Sequence, residues 1–373
     1  MMKIKYIICF FVAISCLSGC CREEEEPWGR TVLFYLVASN LGNVMEQNMN
    51  DMMVALTQTH LNNGHLVVFY SRDKDYAEMY EIQIDKTTGR AVKQPLRTYE
   101  GKSAISSNVM QEVINDAITL FPAKSYGMVL SSHGTGWLPT DFNMMFRSFG
   151  EENKKKMEIY ELAAGLPNHL FEFLIFDVCS MASVECVYEL KNKAEYIVAS
   201  PSETMSYGIP YKDVIQYLFT KKVDYENFIN GFYTFYTEYN APYGNISVTE
   251  TSELENLAHI VREIVGGRED KALFEAPDPN WQVLTSLPNC PTKLYDFEDV
   301  IMALASNDQY THIVATMSGV ITGKRFTPTL YCTQDGILNV RQFSGLSIYP
   351  MQTSLSTLNT WYKQLAWYKA VYE

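Results

Sequence analysis

Cys179 and His133 are the two residues whose types and settings could carry out nucleophilic chemistry. Cys179 follows an apolar run (171–176) and Asp177, which places its thiol at a strand end. The thiolate is the reactive form of cysteine. The spacing after Cys179 predicts a helix over 180–190, whose positive end would favour that anion. His133 sits in the glycine-rich turn His133-Gly134-Thr135-Gly136-Trp137, after another apolar run. His60, His65, His169, His259 and His312 lack such a setting and read as ordinary structural residues. A lone free cysteine is as often a small core hydrophobe, so His133 is what turns the reading of Cys179 toward chemistry.

Positioning the pair is the task of the surrounding elements. Apolar runs alternate with helical periodicity from 28 to about 240, the pattern of βαβ units that build a largely parallel sheet. Strands are expected at 31–38, 66–70, 79–84, 126–132, 171–176 and 196–199, and helices at 40–56 and 103–121. Right-handed crossovers bring the carboxyl ends of parallel strands to one edge, where α/β proteins bind ligands. His133, Asp177, Cys179 and Ser200 follow three of these strands and are expected as neighbours. From 243 onward a smaller C-terminal subdomain is expected, with a strand at 245–248, a helix at 253–265, a core strand at 345–350 and a closing helix at 358–372.

Ser131-Ser132-His133-Gly134 and Phe176-Asp177-Val178-Cys179-Ser180-Met181-Ala182 resemble the histidine and cysteine boxes of clostripain-like peptidases, relatives of caspases, legumains and gingipains. The 46 residues between histidine and cysteine are close to the caspase-type spacing of about 50. Ser148-Phe149-Gly150, Met157-Glu158-Ile159, Val184-Glu185, Tyr295-Asp296, 345–349 and Leu365-Ala366-Trp367 extend the resemblance over nearly the whole chain. It implies a caspase-like α/β/α sandwich in which Cys179 attacks a peptide carbonyl and His133 assists the leaving amide. Backbone N–H groups of Gly134 and Cys179 would then cradle the oxyanion.

Such enzymes cut after Arg or Lys, which requires a carboxylate in the pocket for that side chain. Asp177 is the first candidate, with Ser200 and Glu203 as expected parts of a second wall. Val178-Cys179-Ser180 departs from the commoner Ala-Cys-Leu, and Met205-Ser206-Tyr207 stands where a second acid is expected. The stretch 139–156 reads as an activation loop: the family commonly cleaves itself between the histidine and cysteine strands. Arg147 is the favoured cleavage point, with Lys154, Lys155 and Lys156 as alternatives.

A formal charge of −13 over 373 residues argues against binding to nucleic acid phosphates and suits the attraction of basic peptides. Residues 1–20 read as a lipoprotein export signal, with Lys3 and Lys5, an apolar run and Leu17-Ser18-Gly19-Cys20. Lipid on Cys20 would anchor the chain to a membrane, as an envelope lipoprotein at the outer membrane or surface of a Gram-negative bacterium. Residues 21–27 form an acidic tether, 28–242 the caspase-like catalytic domain and 243–373 the subdomain. Cys21, Cys179, Cys186, Cys290 and Cys332 lack the paired spacing of a disulfide framework. No zinc spacing is present, and calcium is left open because acidic oxygens occur without an EF-hand pattern. A monomer acting on peptides or proteins that contain Arg or Lys is expected. The competing expectation is a non-catalytic surface lipoprotein that binds peptides or a partner on the same scaffold, which a Cys179–Cys186 disulfide would support.

Overall fold

The first strand, β1 (Arg30–Val37), is buried along its whole length and lies in the middle of a nine-stranded sheet. The computed structural model describes residues 29–38, 41–73, 76–138, 149–152, 155–238, 242–288 and 290–373. The other strands of the sheet are β2 (His65–Asp73), β3 (Tyr76–Ile84), β4 (Ala91–Glu100), β5 (Ser125–Ser131), β6 (Phe171–Asp177), β7 (Ala194–Ala199), β8 (Asn245–Glu250) and β9 (Ile321–Phe326). Their spatial order is β9-β8-β7-β6-β5-β1-β2-β3-β4. The five central strands run parallel, and the two strands at each end are antiparallel.

Alternation along β1 shows why both faces must be covered. Val32, Phe34 and Leu36 join one apolar core, while Leu33, Tyr35 and Val37 join another across the sheet. The helices that pack on the sheet include α1 (Gly42–Ala55), α2 (Ser107–Leu120), α3 (Ile159–Gly165), α4 (Val184–Glu189), α5 (Tyr225–Glu238), α6 (Leu254–Val265), α7 (Asn307–Val320), α8 (Ser356–Tyr362) and α9 (Ala366–Tyr372). Helices α1 and α5 cover the first face, and α2, α3, α4, α6, α7, α8 and α9 the second. Each large apolar side chain removed from water contributes about 1.5–3 kcal/mol, so these two layers hold the sheet in an α/β/α sandwich.

The amino ends of the strands are closed by a buried charge. The Arg30 guanidinium donates to the Leu218 and Thr220 carbonyls at 2.5 and 2.8 Å and to Glu172 at 2.5 Å. An unpaired charge there would be prohibitively costly, so Arg30 fixes this edge and leaves the carboxyl edge for loops. Gly127 on β5 has a packing reason: a β-carbon would lie 2.0 Å from the Phe173 ring on β6.

Three expectations are corrected. The helix after Cys179 starts at Val184, not Ser180, because Ser183 caps it by accepting the Cys186 N–H. The expected core strand at 345–350 is reduced to Ser347–Ile348, since Ser344 and Gly345 turn the chain there, Gly345 at φ 103°. The closing helix is two helices: it breaks at Lys363–Leu365, and Glu189 receives the Ala366 N–H that opens α9. Residues 243–373 contribute β8 and β9 to the same sheet as the rest of the chain.

Candidate active site

Strands β5 and β6 are parallel neighbours, and their register sets Ser131 opposite Asp177. The turns that follow therefore leave the sheet at one height, with His133 on one and Cys179 on the other. The Ser132 hydroxyl donates to the Val37 carbonyl at 2.8 Å, and the His133 carbonyl receives the Gly150 N–H at 3.0 Å. Gly150 belongs to the strand Phe149–Glu152, which pairs with Lys155–Met157. Glu152 fastens this hairpin over the sheet edge by accepting from the Ser103 hydroxyl and the Ala104 N–H at 2.6 and 3.0 Å.

The cysteine turn is braced from several sides. Ser180 adopts φ 60°, and its buried hydroxyl bonds Thr285 at 2.8 Å. Its N–H donates to the Ser202 carbonyl, and Ala182 N–H to that of Ser200. This leaves Cys179 half-buried, with its Sγ accepting the Thr204 N–H at 3.2 Å and its S–H directed at the Thr204 carbonyl, 3.7 Å away. Burial, with Glu203 and Asp177 adding to it, pushes the thiol up to about 11, while Thr204 N–H pulls the other way. The expectation that a helix end would favour the thiolate is thus corrected: α4 is short, starts five residues on, and does not offset burial beside two carboxylates.

His133, Asp177 and Cys179 open on one pocket of about 150 Å³. Asp177 accepts Ile209 N–H on Oδ1 and the Tyr211 hydroxyl on Oδ2, both at 3.1 Å. Burial raises its pKa to about 6 against the pull of these donors and of Ser131. Gly208, at φ 65°, lies flat against it, since a β-carbon would meet Oδ2 at 2.5 Å. The walls are apolar, with Leu36, Val44, Met45 and Met49 facing Met205 and Tyr207.

Ser200 and Glu203 do not line this pocket. The Ser200 hydroxyl is buried behind the wall, donating to Asn245 Oδ1 at 2.9 Å and receiving Ser202 N–H at 3.1 Å. Glu203 turns outward: its carboxylate takes the Thr333 N–H at 2.8 Å and the Thr333 hydroxyl. Gly134 is buried on the histidine turn. Cys20, Arg147 and Lys154 lie outside the described residues; Lys155 and Lys156 stand on the Lys155–Met157 strand. Cys186 is a buried free thiol in the core, and Cys179 is also free. No group of three or more candidate metal ligands occurs among the described residues.

The contribution of α1 has no signal in the sequence boxes. Asn48 donates to the Ile209 carbonyl at 2.8 Å and holds the 204–211 loop. The turn Gly208-Ile209-Pro210 was the legible hint that this loop bends sharply into the site.

Fold and site together define a cysteine-type peptidase. The chain belongs to the clostripain family, whose model matches residues 34–373. It is similar to an inactive zymogen C11 protease from Parabacteroides distasonis, at 32% identity over 93% of this chain and 99% of that one, TM-score 0.84. A secreted C11 cysteine protease from Bacteroides thetaiotaomicron, iotapain, matches at 30% identity over 93% and 99%, TM-score 0.82. A clostripain from the same organism, in complex with the peptide inhibitor BTN-VLTK-AOMK, matches at 33% identity over 60% and 97%, TM-score 0.52. Comparison with curated proteins finds no match.

With the thiol held up to about 11, alkylation of Cys179 by iodoacetamide should accelerate about tenfold per pH unit between pH 7 and 10. Glu203→Gln removes a negative neighbour and should speed the reaction at fixed pH. A rate independent of pH, or slowed by that substitution, would contradict this account of the thiol.

Proposed function

We propose that this peptidase cleaves after Arg or Lys and matures by cutting itself within 139–156. The half-buried Asp177 carboxylate in an apolar pocket beside Cys179 carries the specificity reading. Among the described residues no cation pairs with it. Such a charge is costly to bury alone, and a substrate ammonium or guanidinium would offset that cost. The relative bound to VLTK-AOMK carries lysine at the end of its peptide, in agreement with a basic side chain in this position.

Cleavage follows from the chain's own groups. His133 takes the thiol proton, Cys179 attacks the scissile carbonyl, and the oxyanion is received by the backbone N–H groups of Gly134 and Cys179. His133 then protonates the leaving amine, and water hydrolyses the thioester. The Thr204 contact on Cys179 and the raised thiol pKa agree with a resting form of low reactivity, and a relative is described as an inactive zymogen. The free state of Cys179 and Cys186 gives no support to the disulfide-based, non-catalytic alternative. Anchoring through a lipid on Cys20 would place the enzyme at the cell envelope; no helix among the described residues is long and apolar enough to cross a membrane.

Mass spectrometry of wild type and Cys179→Ala after incubation is expected to show fragments ending at Arg147 or within Lys154–Lys156 in the wild type alone. Equal cutting in both proteins, or none in either, would remove self-processing. Wild type should partition into detergent and Cys20→Ser into the aqueous phase; identical partitioning would sink the lipid anchor. Asp177→Asn should abolish turnover of Lys and Arg peptides. Because the folded pKa is raised, the aspartate favours folding less as pH climbs through about 6, so the asparagine variant should be more stable at pH 7.5, by on the order of 1–3 kcal/mol. Denaturant unfolding of both proteins checks the sign; retained basic specificity in Asp177→Asn would overturn the pocket assignment.

A further inference from the structure

Glu185 stands in the first turn of α4, the helix that follows the cysteine turn, and is fully buried. Its Oε1 accepts the Tyr349 N–H at 2.9 Å. Its Oε2 has no hydrogen-bond partner among the described residues, and the indole Nε1 of Trp137 is buried in the same condition. The indole is near enough to the carboxyl to favour its ionised form. Burial raises the Glu185 carboxyl to about 7, while the Tyr349 and Glu185 backbone N–H groups, Ser183 and the Trp137 indole pull it down. A buried donor or acceptor left unmatched costs about 1–3 kcal/mol, so a small approach that lets the indole donate to Oε2 relieves both.

Trp137 lies four residues beyond His133 on the same turn. Between them Gly136, at φ 72°, rests on the cysteine turn so closely that a β-carbon would lie 2.8 Å from the Ser180 carbonyl. The Trp137 ring is wedged between Tyr349 and Tyr362, with centroids 5.6 and 5.3 Å away. The histidine turn thus meets the cysteine turn backbone on backbone at Gly136, and Trp137 packs on Tyr349, whose N–H donates to Glu185.

We propose that Glu185 is a positioning residue: by receiving the Trp137 indole N–H it clamps the His133 turn onto the helix that follows Cys179 and so sets where the imidazole stands over the thiol. The kinetic arm of the test rests on the Arg/Lys reading, so a second arm needs no turnover.

Glu185→Gln presents an amide NH₂ to one of two donors, Tyr349 N–H or Trp137 N–H, whichever way the amide is turned. Trp137→Phe keeps a ring but removes the donor, and the double variant relieves the clash. Steady-state kinetics on a Lys peptide should show kcat lowered about tenfold or more in each single variant, since small misplacements are costly in rate. KM should stay within about twofold, and the double variant should be no slower than the slower single. Unchanged kcat, or losses that multiply in the double variant, would overturn the clamp. Thermal unfolding identifies any variant that fails to fold; Trp137→Phe, the more conservative change, then decides the kinetic arm. In the second arm, NMR of ¹³C-histidine-labelled protein follows the His133 ring signal with pH in wild type and Trp137→Phe. A displaced signal or midpoint is expected, and superimposable titrations would refute the proposal even if no basic peptide is cleaved.

Discussion

The register of two adjacent parallel strands is the constraint on which the site depends. Ser131 lies opposite Asp177, so the turns after β5 and β6 emerge side by side and residues far apart in the chain meet. A slip of one residue would turn every side chain of β6 to the opposite face. Asp177 would leave the pocket, and each apolar side chain of β6 would be turned into the other core, which is packed for a different side chain. The packing that stabilises the sheet and the placement of the reactive groups are therefore the same fact. Gly127 shows how tightly it is specified, since β5 passes the Phe173 ring with no room for a methyl group.

Around that register the protein holds one group, the Asp177 carboxylate, in a form that folding alone disfavours. Asp177 and Cys179 both have raised pKa values because burial penalises their anions. At neutral pH the thiol stays protonated and carries no such cost, whereas the carboxylate ionises, and stability on its own would select an amide in its place. What keeps the carboxylate tolerable is directed hydrogen bonding from Ile209 and Tyr211, contacts that hold the charge in place without neutralising it.

Much of this was legible in the sequence where apolar runs end in unusual polar residues. β5, β6 and β7 announce themselves that way, and with them the meeting of His133, Asp177 and Cys179. β4 did not, because it is an edge strand with mostly exposed side chains and Pro95 at the point where its register shifts. Nor could the directions of Ser200 and Glu203 be read. Both follow a strand that ends at the correct edge, yet a chain of serine bonds to Asn245 draws Ser200 inward and Thr333 draws Glu203 outward. Both partners come from beyond residue 242, and no local pattern encodes a contact with them.

The same distance explains why the last third of the chain belongs to the site. Thr285 bonds Ser180, Ser347 N–H donates to the Ala182 carbonyl, and Tyr349 N–H donates to Glu185. Each of these touches the ten residues around the nucleophile, and none touches the pocket. Ser180 at φ 60° is a conformation that a serine adopts only where its surroundings enforce it. The bracing supplies that enforcement: without Thr285 and Ser347 the turn could relax toward ordinary backbone angles, and the thiol would swing away from His133 while β6 stayed in place. The sheet fixes where the cysteine turn begins, and the C-terminal residues fix which way it faces.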